Sequence, residues 1–102
     1  MTKAKLNYIL DEHTPKLAKD ILEWARWFKV ANRVVAKTRV GKLEVSTVFL
    51  GIAHAFGNNR PLLFETMVFG GSEDYQERYA TWEEAEKGHD RVVKIAANLV
   101  AK

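Results

Sequence analysis

Val45–Phe56, VSTVFLGIAHAF, and Pro61–Gly71, PLLFETMVFGG, are two strongly apolar segments joined by the polar connector Gly57-Asn58-Asn59-Arg60. The pattern predicts a β-hairpin whose strands carry apolar side chains on both faces. An antiparallel sheet with one solvated face normally alternates between apolar and polar residues. Here the second apolar face, interrupted by His54 and Glu65, calls for a cover from a partner subunit or a ligand.

Upstream, between Arg33 and Leu50, the sequence has a period of two. Val34, Ala36, Thr38 and Val40 share one side, and Arg33, Val35, Lys37 and Arg39 the other. Gly41-Lys42 fits a two-residue hairpin turn, with glycine supplying the positive φ. That turn sets Val40 opposite Leu43, Arg39 opposite Glu44, Thr38 opposite Val45, Lys37 opposite Ser46 and Val34 opposite Phe49, so apolar meets apolar on one face and Arg39 meets Glu44 on the other. If Phe56 and Pro61 close the next loop, Val48 falls opposite Phe69, Leu50 opposite Met67, Ile52 opposite Glu65 and His54 opposite Leu63. Phe49 and Val68 then belong to the core. Val48, Leu50, Met67 and Phe69 form an outer interface patch that holds His54 and Glu65 as neighbours.

Thr14-Pro15 reads as a helix start, running from Pro15 to about Ala31 with Leu17, Ile21, Trp24 and Phe28 on one stripe. Lys5 to His13 is ambiguous, because Leu6, Tyr8 and Leu10 alternate while the run also tolerates a helical turn. Gly70-Gly71-Ser72 begins a turn, and Tyr75 to Ala80 reads as a fourth strand. Thr81 starts a second helix, with Glu84 completing a capping box, and Ala85, His89, Val92, Ala96 and Leu99 mark its buried face. The expected fold is therefore α+β: one domain over 1–102, with a four-stranded antiparallel sheet, two helices on one face and the order α-β-β-β-β-α.

The chain has 102 residues and a formal charge of +3, from 16 Lys plus Arg against 13 Asp plus Glu. Its basic residues are scattered, so nucleic acid is not an expected partner. The absence of cysteine excludes disulfides and thiol catalysis. Met-Thr-Lys-Ala-Lys leads into no signal-like apolar core, and no window has the length of a membrane span, so the expectation is a soluble cytoplasmic protein without membrane contact.

Candidate residues follow from charge placed in apolar context. His54 and Glu65 are an acid/base or ligand-contacting pair, or a structural pair at an interface. Asn59 and Arg60 lie in a connector whose amides and cation suit an anionic ligand, although turn formation accounts for the Gly and Asn residues equally well. Arg33 and Arg78 stand near the margins of the hairpin, where Arg78 either reaches a phosphate or forms a surface ion pair. Tyr79 either stacks on a base or packs. His89, beside Gly88, reads as a satisfied core histidine; Trp24, Trp27 and Trp82 read as fillers of core or interface volume, with an exposed contact as the alternative for Trp27, which lies off the main helical stripe. The histidines have no metal-ligand spacing, and there is no phosphate loop, nucleophile elbow or paired catalytic carboxylates, so neither metal, cofactor nor enzymatic activity is expected.

Val45–Gly51, His54, Phe56-Gly57, Pro61–Gly71, Glu77-Arg78-Tyr79 and Thr81–Ala85 together resemble a group of small phage and prophage proteins. Members of that group carry an acidic residue before the histidine, where this chain has Ala53. The layout and the uncovered sheet face also look like phage anti-defence sponges of the Thoeris anti-defence type. That resemblance implies a non-catalytic homo-oligomer in a bacterial host, binding a nucleotide-type signal between subunits through arginines and aromatics. The alternative expectation is a structural or protein-interaction module that uses the outer sheet face.

Overall fold

The computed structural model describes residues 6–71 and 75–101. Its elements are β1 (Tyr8–Asp11), β2 (Thr14–Leu17), α1 (Ile21–Val30), β3 (Val34–Val40), β4 (Leu43–Phe49), β5 (Phe56–Gly57), β6 (Arg60–Pro61), β7 (Phe64–Phe69), β8 (Tyr75–Tyr79) and α2 (Trp82–Val100). The class is α+β, and the main sheet is antiparallel with strand order β3-β4-β7-β8. The turn expected at Gly70-Gly71-Ser72 runs into 72–74, outside the described residues.

The element order departs from a helix followed by four strands. Thr14 and Pro15 do not start a helix; they lie in β2, paired with Asp11 and Leu10 of β1. A two-stranded sheet consists only of edges, so a proline without an amide proton is tolerated there. The alternation of Tyr8 and Leu10 belongs to β1, and both side chains lean on the core around Phe49 and Phe64. Helix α1 begins instead behind Asp20, whose carboxylate accepts the Glu23 amide at 2.9 Å.

Helix α1 packs through Trp24, Trp27 and Phe28, and none of its residues is fully buried. Leu17 and Ile21 are half exposed, so the packed stripe is rotated from the expected one towards Trp27. Trp27 is no exposed contact: its ring meets Phe49 edge-on with centroids 5.6 Å apart. Trp24 donates its indole N–H to the Gly51 carbonyl at 2.9 Å.

The β3–β4 hairpin has the expected register from Val40↔Leu43 to Lys37↔Ser46. Beyond Ala36↔Thr47 a bulge shifts the ladder by one, so Val34 pairs with Val48 rather than Phe49. The extra residue turns Val35 towards the core and leaves Val34 exposed.

Phe56 does pair with Pro61, but this tip register does not continue into the main sheet. There Val48 pairs with Glu65, Ser46 with Met67 and Glu44 with Phe69, in place of the expected Ile52–Glu65, Leu50–Met67 and Val48–Phe69. Between Phe49↔Phe64 and Phe56↔Pro61 lie six residues on one strand and two on the other. The longer side leaves the sheet at Leu50 and pairs with the N-terminal segment: Tyr8 donates to the Gly51 carbonyl at 2.8 Å and Ala53 to that of Leu6 at 2.9 Å. The surplus of four is even, so the side chains that stay paired in β4 and β7 keep their expected faces while their neighbours change.

Among the described elements, only α2 crosses all four main strands. Helix α1 sits at the Phe49 end of the sheet, so the expected pair of helices on one face is a single covering helix. Thr81 caps α2, accepting the Glu84 amide at 3.1 Å, and the Glu84 carboxylate accepts the Ala80 amide at 3.1 Å. Ala85, His89, Val92 and Ala96 are buried as the spacing predicts, whereas Leu99 is exposed. Beneath α2, one core cluster centres on Phe49, Leu63 and Phe64 and another on Leu43, Val45 and Val92.

Candidate functional site

In β4, Leu43, Val45, Thr47 and Phe49 are buried and point at α2, whereas Glu44, Ser46 and Val48 face the other way. Pairing extends that outer face to Phe69, Met67 and Glu65 on β7 and to Gln76 and Arg78 on β8. No helix of the described residues lies over it. Phe69 is 48% exposed, while Val48 and Met67 are half-buried by their strand neighbours. Leu50, the fourth residue expected in this patch, lies just past β4 where the chain departs, and its amide donates to the Leu63 carbonyl at 2.7 Å.

Glu65 anchors this face. It is buried although charged, and its Oε2 accepts from Arg78 Nε at 3.0 Å and from the Gln76 side-chain amide. Opposite charge and a neutral donor from the adjacent strand thus offset the cost of taking the carboxylate out of water. His54 is not part of this arrangement. It is exposed in the excursion after β4, and the pairing that would set it beside Glu65 is not made.

The remaining candidates occupy separate places. Arg33 donates to the Phe49 carbonyl at 3.0 Å and lies 4.1 Å from the centroid of the Phe28 ring, tying α1 to the sheet. Asn58 and Asn59 take φ of 53° and 63°, the left-handed pair of a two-residue turn that Gly57 and Arg60 close. Arg60 pairs with Glu84 at 3.0 Å, fastening the hairpin tip to the start of α2. Burial works against the Glu84 charge, but the Ala80 amide and Arg60 outweigh it and hold the carboxyl below the usual range. Tyr79 is buried and unavailable for stacking on a ligand.

Tyr79 belongs instead to a polar network on the inner face. His89, 3% exposed, has Nδ1 2.7 Å from Thr47 Oγ1 and Nε2 2.9 Å from Thr38 Oγ1. Thr47 meets Thr66 at 2.5 Å, Thr66 meets the Tyr79 hydroxyl at 3.0 Å, and Tyr79 meets Glu77 at 2.7 Å. Arg91 closes the chain by pairing with Glu77. Burial pushes the Tyr79 phenol well above its ordinary value, and it lowers the His89 imidazole despite the opposing pull of Asp90. Both rings are therefore held neutral. Sequence reasoning anticipated His89 as a satisfied core residue but missed Thr38, Thr47, Thr66, Glu77 and Arg91. The available signal was a threonine at an inward position on each of three adjacent strands.

Among the described residues no cluster of His, Cys, Asp and Glu could hold a metal ion, and no helix is long and apolar enough to cross a membrane. Comparison with protein-family models, curated proteins and solved structures finds no match.

Proposed function

We infer that this protein is a non-catalytic, self-associating interaction module whose outer sheet face meets the same face of a second copy. The observation that carries this reading is the uncovered row of Val48, Met67 and Phe69 beside a carboxylate already matched by Arg78 and Gln76. Exposed apolar side chains gain by removal from water, about 25 cal/mol per Å². With Glu65 and Arg78 paired internally, this pair brings no net charge of its own to a contact between identical faces.

Sequestration of a nucleotide-type signal draws less support. Its three arginines are spent on three different partners, the Phe49 carbonyl, Glu84 and Glu65, and a phosphorylated ligand would have to displace each of them. Sedimentation velocity tests the interaction reading. The native chain should sediment as a dimer or larger, and Met67→Asp or Phe69→Asp should yield a folded monomer with unchanged far-UV circular dichroism. A native chain that is monomeric at high micromolar concentration overturns it.

A further inference from the structure

We propose that the free edge of β3 receives an extended segment of a different protein as a fifth strand, with acidic side chains on its outer face and a cation directed into the cleft beneath. The edge borders the outer sheet face through Lys37 and Arg39, but it binds through the backbone of β3 rather than through Val48, Met67 and Phe69, so each proposal is tested by its own variants.

Among the described residues, strand β3 ends the sheet, paired only with β4. In a two-residue hairpin the closing pair, here Val40 and Leu43, is hydrogen-bonded, and bonded pairs then alternate. Thr38 and Ala36 therefore bond inward to β4, and the N–H and C=O groups of Lys37 and Arg39 point out from the sheet. An added strand takes its main-chain bonds from such groups and its specificity from the side chains on either face.

On the outer face, Lys37 and Arg39 are exposed and, among the described residues, in no ion pair. On the inner face, a cleft of about 380 Å³ opens between Ala36 and α2, lined by Glu83, Glu86, Lys87, His89 and Asp90. The short side chain of Ala36 leaves this room at the edge. Three carboxylates stand there against one lysine, so an inward-pointing cation of the incoming strand finds opposite charge. The bulge between Val34 and Ala36 confines regular pairing to Ala36–Val40. A second copy is the wrong occupant, because β3 against β3 sets Lys37 and Arg39 against their own kind, the arrangement by which edge cations discourage self-pairing.

Two synthetic peptides serve as probes: Glu-Val-Glu-Lys-Glu-Val-Glu and its charge-inverted counterpart Lys-Val-Lys-Glu-Lys-Val-Lys. Amide hydrogen exchange at Lys37 and Arg39, followed by NMR, should slow with the first peptide, and that peptide should bind roughly tenfold more tightly than the second. Combining Lys37→Glu with Arg39→Glu should reverse the preference while leaving the fold unchanged. The proposal is overturned if neither peptide protects these amides, if both do so equally, or if the charge reversal leaves the preference unchanged. Protection that grows with protein concentration alone identifies a second copy as the occupant and overturns it as well.

Discussion

A Cβ placed on Gly88 would lie 2.3 Å from the ring and hydroxyl of Tyr79, so the backbone of α2 rests directly on the tyrosine. This contact lets the Tyr79 hydroxyl reach Thr66 and Glu77 beneath the helix. It also sets the distance between α2 and the edge strand β8.

Gly88→Ala should therefore be destabilising although alanine is the better helix former. Overpacking a rigid buried ring costs about 1–3 kcal/mol, and the propensity gain returns about 1 kcal/mol. Urea unfolding should show a net loss on the order of 1 kcal/mol. A gain in stability would mean that the ring moves aside freely and that the close approach does not fix the packing.

The neutral, buried His89 makes stability depend on pH. Its folded pKa is depressed, so at neutral pH and above neither state holds the proton and stability is complete. As pH falls below about 6.5, the unfolded chain takes up a proton that the folded one refuses. Stability should fall from there until the pH passes the lowered folded value, and then level off. Chemical denaturation at a series of pH values, with His89→Gln as reference, isolates this contribution. If the two pH profiles run parallel, the imidazole is not held neutral.

Glu65 and Arg78 form a half-shielded pair, with side-chain exposures of 10% and 31%. Arg78→Met should leave the carboxylate short of its cationic partner and cost about 1–3 kcal/mol, less than a fully buried pair because water reaches the guanidinium. Adding Glu65→Met should recover most of that loss. A double-mutant cycle with no coupling would mean that Gln76 alone satisfies the carboxylate.

The start of α1 distinguishes two candidate caps. Asp20→Ala removes the acceptor for the Glu23 amide and should cost about 1 kcal/mol. Thr14→Ala changes an exposed residue of β2 and should stay within about 0.5 kcal/mol. The reverse ranking in thermal melts would return the helix start to Thr14.

The sequence by itself determined what local chemistry can specify. The α+β class, the Gly41 turn with its register, the Asn58-Asn59 tip, the Thr81–Glu84 box and the buried stripe of α2 each rest on residues close together in the chain. Thr14-Pro15 misled because the same pair suits a helix start or an edge strand, and only the partner strand β1 distinguishes them.

Tertiary structure decided everything that depends on segments distant in sequence. The run Leu50–Ala55 could have continued the β4–β7 ladder, but Gly51 and Ala53 bond to Tyr8 and Leu6, so the strand leaves the sheet and His54 parts from Glu65. A shift by an even number preserves the hydrophobic pattern, so nothing in that pattern records it. The inward threonines became a network only when His89 was brought over them from the last helix, 51 residues from Thr38 and 42 from Thr47. Periodicity fixes the face on which a side chain stands, whereas its contacts depend on which distant segments satisfy one another's backbone groups.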